Sequence, residues 1–254
     1  MLVPTRAEAR AYDVDGFFVR KGFLSDGEVA DFRDAARRQL EAESQSGSVM
    51  EKGDKAGNKT LLKLWNNAGD DKYGMLARDE RLVRMSEALI GDEVYLYSHK
   101  MTMKQPREGG AWEWHQDFGY WYNNGCLAPE MLSIWIALDP SNKANGCLQV
   151  LTGSHILGRL NHIREDGQTN VEKPYLNAAV KRFEHVYVEM DPGDALVFHC
   201  NLLHRSDANK SDTYRWGYIC SYNAVHNAPF MRARDYGNYE ELKTVPAGSF
   251  MSVQ

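Results

Sequence analysis

Residues 111–122, AWEWHQDFGYWY, place a histidine and an aspartate two positions apart within a markedly aromatic stretch. On a β-strand alternate side chains share a face, so His115 and Asp117 would point to the same side and Gln116 to the other. Imidazole and carboxylate groups are both ligands of transition-metal ions. The pair therefore predicts two ligands of one metal ion, and the aromatic walls would exclude water from a reactive site. The structural alternative is a core histidine that is hydrogen-bonded to a carboxylate.

A second histidine would complete the set of two histidines and one carboxylate that binds ferrous iron and leaves open coordination positions. Two histidines lie in residues 192–216, PGDALVFHCNLLHRSDANKSDTYRW. They are His199 and His204. The spacing alone leaves the choice between them open.

The composition excludes several classes of partner. The chain has 254 residues, of which 43% are hydrophobic, and a formal net charge of -5, so one sizeable core and no nucleic-acid partner are expected. No apolar run approaches the roughly 18–20 residues of a membrane span, and the amino terminus is too charged for a signal peptide, which predicts a cytoplasmic protein without a membrane partner. The four cysteines form no C-x-x-C pair and are expected to be buried free thiols: Cys126, Cys147, Cys200 and Cys220.

The chain divides into a helical first part, about residues 1–92, and a β core, about residues 93–230. A strand is expected in residues 14–24, and Ser25 and Glu28 have the spacing of a capping box that begins a helix of about four turns. A second helix is expected over residues 79–90, ending at Gly91, with a loop over residues 44–60 between the two helices.

From residue 93, short strand-like runs alternate with turn residues, which predicts an antiparallel sandwich or barrel. Residues 156–185 interrupt this rhythm with charges, Gly167 and Pro174. They could form an insertion that covers the mouth of the β core. His155 and His199 are expected to be structural. We treat residues 1–254 as a single domain.

Three ordered blocks resemble the phytanoyl-CoA dioxygenase family of iron- and 2-oxoglutarate-dependent oxygenases. They are WHQDFGYW (residues 114–121), NGCLQVLTGSH (residues 145–155) and the segment with both histidines, and GFFVRKGFLSDGEVADFRDAAR (residues 16–37) resembles the family's opening strand and helix. The resemblance implies a mainly β fold with flanking helices around a double-stranded β-helix (jelly-roll, cupin-like) core. It also implies Fe(II), 2-oxoglutarate and O2.

The same resemblance implies roles for individual residues. The family's distal histidine is followed eleven residues later by an arginine that pairs with the far carboxylate of 2-oxoglutarate, which selects His204 with Arg215, because His199 is followed at that distance by Lys210. Arginine suits this role, since its planar guanidinium binds a carboxylate with two hydrogen bonds. The resemblance further places Ser206 on that carboxylate, Trp121 in the wall of the cosubstrate pocket, as in ectoine hydroxylase-type members, and Thr102 near the keto acid.

The expected reaction is hydroxylation of a small polar or zwitterionic metabolite, such as an amino acid, a betaine or an aminoalkylphosphonate. Halogenating relatives lack the carboxylate ligand, and Asp117 occupies its position here. Glu113, Tyr120 and Tyr122 could meet a cationic group, with Trp112 completing an aromatic cage. Lys100, Lys104, Asn223 or Asn227 could meet an anionic group.

Three other functions stay open at this stage. One is hydroxylation of an acyl-CoA or lipid-like substrate, although no basic cluster for its phosphates is evident. Another is a non-catalytic ligand-binding or sensor protein on the same fold. A third is a cupin-like enzyme with a different metal and no keto acid. A monomer and a homodimer are both compatible with the sequence.

Overall fold

A computed structural model describes residues 2–43, 49–65, 67–165, 167–231, 237 and 239–253. The helices are α1 (Arg6–Asp15), α2 (Asp26–Glu43), α3 (Lys72–Ala77), α4 (Glu80–Ile90), α5 (Asp117–Trp121) and α6 (Lys173–Arg182). The strands are β1 (Phe17–Arg20), β2 (Met50–Gly53), β3 (Lys59–Trp65), β4 (Val94–Lys104), β5 (Trp112–His115), β6 (Met131–Ala137), β7 (Leu148–Leu151), β8 (His162–Glu165), β9 (Gln168–Val171), β10 (His185–Val188), β11 (Ala195–His199), β12 (His204–Ser206) and β13 (Arg215–Ala224).

Two antiparallel sheets form the core. The larger sheet has the strand order β1-β11-β6-β13-β4-β3-β2, and the smaller has the order β10-β7-β12-β5. Side chains of both sheets pack together in one apolar cluster, with Trp135 and Phe198 from the larger sheet and Val150 and Val188 from the smaller. The arrangement is a β-sandwich, and the predicted mainly β fold is confirmed.

Helices α2 and α4 cover the other face of the larger sheet. Phe32 of α2 and Leu82 of α4 lie in one buried cluster with Ile134 and Val197 of the sheet. The predicted capping box is present, since the Ser25 backbone N–H donates to Glu28 Oε2 over 2.9 Å. As predicted, the second helix ends at Gly91, where φ is 82°. Helix α1 was not predicted, although Thr5 and Glu8 form a capping box at its start.

The loop predicted over residues 44–60 is only partly correct. Residues 44–48 lie outside the described residues, while β2 and β3 form a hairpin that pairs with β4. Between these strands, Asp54 Oδ1 accepts hydrogen bonds from the backbone N–H groups of Ala56 and Asn58, both over 2.9 Å. The polar, glycine-bearing sequence therefore contains a hairpin turn, and the large sheet begins well before residue 92.

The interruption at residues 156–185 has secondary structure of its own. It contains the β8–β9 hairpin and helix α6, whose first turn holds a proline. Among the described residues, no helix has the length and apolar character needed to cross a bilayer. The four cysteines are buried free thiols, as predicted.

Candidate metal centre and cosubstrate pocket

The three predicted ligands come from two paired strands and an adjoining helix. His115 ends β5 and His204 begins β12, and the two residues are partners in the antiparallel register, with ring centroids 4.1 Å apart. The sequence suggested that Asp117 lies on the strand with His115, but Asp117 is the first residue of α5. Gln116 is extended (φ -115°, ψ 136°), so the alternation continues through it and Asp117 still turns toward the histidines.

One ligand atom from each of His115, Asp117 and His204 lies within 4.8 Å of the other two. All three residues are buried. His115 Nδ1 lies 2.7 Å from the Glu113 carbonyl oxygen, and His204 Nδ1 lies 2.9 Å from that of Leu202. A carbonyl oxygen only accepts, so each Nδ1 donates, and each Nε2 lone pair remains for a metal ion.

The electrostatics of the group favour the protonation states that a metal needs. Burial, together with the neighbouring His204, lowers the pKa of His115 to about 3, so its ring is neutral. Burial alone would raise the pKa of Asp117, but His204, Lys100, His115 and the Ser133 hydroxyl outweigh it and lower that pKa. Neutral imidazole and ionised carboxylate are the ligand forms of these side chains.

A cavity of about 580 Å³ opens beside the three ligands. Arg215 lies in its wall, only 2% exposed, with its guanidinium 4.6 Å from the centre of the Trp135 ring. Within the described part of the chain, its Nε and Nη2 have no hydrogen-bond partner. Burial lowers the pKa of Arg215 to about 10. A buried guanidinium without a counter-ion is costly, and an anionic ligand at this end of the cavity would offset that cost.

Lys104 and Ser206 lie next to Arg215. Lys104 pairs with Arg215 in the register of β4 and β13, is fully buried, and donates from Nζ to Ser206 Oγ over 2.8 Å and to the Asp207 carbonyl oxygen. Burial and the Arg215 charge hold the pKa of Lys104 well below its ordinary value. Ser206 lines the cavity, whereas Lys104 lies behind it. The structure therefore does not place Lys104 among the residues that line the cavity.

Thr102 and Trp121 have different surroundings. Thr102 lines the cavity, and its Oγ1 is 3.5 Å from Trp135 Nε1. Trp121, expected in the cosubstrate pocket, does not line this cavity. It is 4% exposed and packs with its ring centroid 5.1 Å from that of Tyr97. The sequence placed it correctly close to Asp117, but the short helix α5 turns its ring into a separate apolar cluster.

The residues expected to meet a cationic group lie around the outer part of the site. The Tyr120 ring is 5.8 Å from that of His115, and its hydroxyl donates to the Thr169 carbonyl oxygen over 3.0 Å. Glu113 is on β5, with Oε1 4.0 Å from Lys55 Nζ. Tyr122 is 40% exposed and is not a cavity wall. Trp112 does line the cavity.

The residues expected to meet an anionic group also separate. Asn223 is fully buried, donates to the Tyr95 hydroxyl over 3.0 Å, and also binds Asn227, so neither asparagine is available to a ligand in the cavity. Lys100 lines the cavity and helps to lower the pKa of Asp117. The Lys100 side chain makes no hydrogen bond or ion pair within the residues that the structure describes. Of the two lysines, Lys100 is therefore the one that lines the cavity.

His155 and His199 lie together elsewhere. Their ring centroids are 5.3 Å apart, and both line a second cavity of about 670 Å³ that shares no residue with the first. His199 Nδ1 accepts a hydrogen bond from the Asn201 backbone N–H over 3.0 Å. His155 Nε2 lies 3.2 Å from the Asp13 carbonyl oxygen. Both contacts hold the fold together, at a distance from the three ligands.

Gln116 connects the residue 156–185 segment to the ligands. Its side-chain amide donates to the carbonyl oxygens of Gly158 and Asn201 and accepts from the Leu160 backbone N–H, over 2.7–2.8 Å. Its backbone N–H donates to His162 Nε2 over 2.9 Å. Gln116 therefore binds this segment at a position between the ligands His115 and Asp117 in the chain. The alternation pattern placed the Gln116 side chain on the opposite face from the ligands but did not predict these contacts.

The model of the phytanoyl-CoA dioxygenase (PhyH) family matches residues 12–217. The chain belongs to this family. It is 29% identical over 237 residues to L-proline trans-4-hydroxylase of Streptomyces griseoviridis, covering 86% of each chain. It is 27% identical over 234 residues to ectoine dioxygenase of Sphingopyxis alaskensis, covering 87% of this chain and 76% of the relative.

Solved structures of family relatives have the same fold. The crystal structure of EctD from S. alaskensis with bound Fe superposes with a TM-score of 0.80 and 25% identity, over 96% of this chain and 88% of that one. EctD with 2-oxoglutarate and 5-hydroxyectoine superposes with a TM-score of 0.78 and 26% identity, over the same shares of the two chains. The predicted jelly-roll core and the predicted class, an Fe(II)- and 2-oxoglutarate-dependent dioxygenase, are confirmed. The donor set, with two imidazoles and a carboxylate beside a guanidinium that has no carboxylate partner within the described residues, fits iron and a keto acid.

Proposed function

We propose that this dioxygenase hydroxylates a small polar or zwitterionic metabolite. The observation that carries the proposal is the pairing of a three-ligand metal group with a buried, unpartnered Arg215 in one cavity of about 580 Å³. The two relatives named above support the substrate class, since their names specify proline and ectoine, both small and polar. The proposal treats residues 1–254 as one catalytic domain, because β1–β3 lie in the same sheet as β13.

His115, Asp117 and His204 would hold the iron. Bound there with 2-oxoglutarate and O2, iron supplies the oxidising chemistry that hydroxylates an unactivated C–H bond. These two imidazoles and one carboxylate lie in the wall of the cavity, so cosubstrate and substrate would approach the ion from the cavity. The backbone hydrogen bonds to both Nδ1 atoms keep the rings oriented before metal arrives.

Arg215 and Ser206 would bind the far carboxylate of 2-oxoglutarate. Ser206 Oγ accepts from Lys104 Nζ, so its own hydroxyl hydrogen remains available to the carboxylate. Lys104 lies behind Ser206 and holds its hydroxyl by this hydrogen bond without lining the cavity. Thr102 and Trp135 line the same cavity, and the Trp135 ring lies 4.6 Å from the Arg215 guanidinium. Apolar walls keep water away, which strengthens each charge-assisted contact.

Lys100 would bind an anionic group of the substrate, and Glu113 with the aromatic rings of Trp112 and Tyr120 would accommodate a cationic group. Lys100 lines the cavity close enough to Asp117 to lower its pKa. Of the other two cationic side chains in that wall, Arg215 would bind 2-oxoglutarate and Arg205 is paired with Asp207. A substrate with separated charges would place its negative group on Lys100 and its positive group near Glu113 and the aromatic rings. A lipid-like substrate would leave Lys100 desolvated and unpaired.

The test is a screen of amino acids, betaines and aminoalkylphosphonates for succinate formation above the uncoupled background, with ferrous iron and 2-oxoglutarate. We expect stimulation by at least one zwitterion and none with Asp117→Ala. The variant Lys100→Met should raise the apparent KM for that substrate by roughly 10- to 100-fold, with little change in the KM for 2-oxoglutarate. The exposed Lys59→Met on β3 is the matched control. Stimulation by acyl-CoA alone would overturn the substrate class.

A further inference from the structure

A chain of two buried hydroxyl groups ends on the Asp117 carboxylate. Ser133 Oγ lies 2.9 Å from Asp117 Oδ2, and Ser221 Oγ lies 2.9 Å from Ser133 Oγ. Ser133 is fully buried and Ser221 is 1% exposed. Neither residue belongs to the ligands or to the cavity wall described above.

The direction of the chain follows from simple chemistry. An ionised carboxylate only accepts hydrogen bonds, so Ser133 donates to Asp117. The Ser133 oxygen can then accept from Ser221, which fixes both hydroxyl hydrogens in the direction of the carboxylate. Two aligned hydroxyl dipoles favour the ionised form of Asp117, in agreement with its lowered pKa.

The positions of these serines are unusual for their strands. Ser133 is the single polar residue of β6, MLSIWIA, in which all seven residues are buried. It pairs in register with Ser221 of β13, so the two side chains leave the sheet on the same face. A buried hydroxyl costs free energy unless it is hydrogen-bonded, and alanine would pack in either strand without that cost.

We propose that Ser133, supported by Ser221, is a positioning residue that keeps Asp117 bound to the metal through one oxygen. This inference rests on the proposed role of Asp117 as a ligand. The Ser133 hydroxyl donates to Asp117 Oδ2. The other oxygen, Asp117 Oδ1, lies 3.9 Å from His204 Nε2, on the side of the other ligands. A carboxylate that bound through both oxygens would take a coordination position that 2-oxoglutarate and O2 need. Hydrogen-bond partners of metal ligands commonly orient them in this way.

The test uses Co(II) as a spectroscopic probe of the purified protein without turnover. We expect Ser133→Ala to weaken Co(II) binding by roughly 10- to 100-fold and to change the visible spectrum of the bound ion, because Asp117 can then rotate. Ser221→Ala should shift both readouts in the same direction by a smaller amount, since the Ser133 donor remains. The control is Ser141→Ala, which removes a buried hydroxyl that has no hydrogen-bond partner within the described residues.

Activity provides a second readout. Ser133→Ala should raise the fraction of 2-oxoglutarate turnover that is not coupled to substrate hydroxylation, and Ser141→Ala should not. Wild-type Co(II) affinity and spectrum in both Ser133→Ala and Ser221→Ala would overturn the inference. If Asp117→Ala also bound Co(II) like the wild type, the proposed ligand assignment itself would fail, so the two failures are distinguishable.

Discussion

Two arginines in this protein, the partly buried Arg81 and the buried Arg215, have opposite surroundings. Arg81 donates from Nε and Nη2 to the two carboxylate oxygens of Asp79, over 2.9 and 2.8 Å, and from Nη2 to Glu28 over 2.7 Å. Although burial opposes it, these hydrogen bonds raise the pKa of Arg81 above its ordinary value. Arg215 has no carboxylate partner among the described residues, and burial lowers its pKa to about 10. The protein itself supplies carboxylate partners to Arg81, whereas for Arg215 we propose that the partner is the cosubstrate.

The difference separates structural from functional charge in this fold. Arg81 connects α2, through Glu28, with the first residues of α4, and Asp79 also accepts from the Gly248 backbone N–H over 2.8 Å. That network joins distant segments of the chain, and within it the Arg81 charge is paired with the carboxylates of Asp79 and Glu28. The charges at Arg215 and at the metal ligands are held in place by packing, at a cost in stability that a bound metal and keto acid would repay.

Removing Arg215 should have the largest effect. Arg215→Met is expected to raise the apparent KM for 2-oxoglutarate by roughly 30- to 1000-fold, equivalent to about 2–4 kcal/mol, because a buried carboxylate loses its partner. The free energy of unfolding without ligands should stay equal or rise, since an unpaired charge leaves the core. Steady-state kinetics and urea unfolding measure the two quantities. An unchanged KM would remove Arg215 from the cosubstrate site.

Removing Arg81 should have the reverse signature. Arg81→Met leaves Asp79 and Glu28 facing each other without a cation and should lower the free energy of unfolding by about 2–3 kcal/mol. The KM for 2-oxoglutarate should remain that of the wild type. A loss of cosubstrate affinity comparable to that of Arg215→Met, at unchanged stability, would contradict the distinction between the two arginines.

A surface charge cluster gives the smallest expected effect. His226 lies between Asp92 and Glu130, with both ring nitrogens 2.5 Å from a carboxylate oxygen, and these two neighbours raise its pKa. Its contribution to stability is therefore full below the unfolded pKa of about 6.5 and is lost as pH rises through the higher folded pKa. The difference in Tm between the wild type and His226→Gln should be one or two degrees at about pH 6 and should vanish near pH 9. A difference that grows with pH would contradict this sign.

The sequence predicted the metal ligands better than the walls around them. A histidine and an aspartate two residues apart are a local pattern, and the family resemblance added the second histidine with an arginine eleven residues beyond it. The structure brings these residues to one cavity. The depth of a side chain below a cavity is not a local property. Lys100 and Lys104 lie on the same face of β4, yet one lines the cavity and the other is buried behind Ser206.

Similar reasons explain the other corrections. The residue type of Asn223 does not distinguish a ligand-binding asparagine from a structural one. Its partners Tyr95 and Asn227 come together only when β13 pairs with β4. The capping box and the glycine stop of the two main helices were readable from sequence because they are formed by neighbouring residues. The β2–β3 hairpin was missed because its sequence is polar and its pairing partner, β4, is distant in the chain.

The central claim is that His115, Asp117 and His204 hold one ferrous ion within reach of a keto acid bound by Arg215. The most direct test is anaerobic titration of the apoprotein with Fe(II) and 2-oxoglutarate, followed by the visible charge-transfer absorption that a keto acid gives on ferrous iron. We predict saturation at one iron per chain for the wild type and for His199→Ala, and no such band for His204→Ala. A full band in His204→Ala, or its loss in His199→Ala alone, would contradict the account.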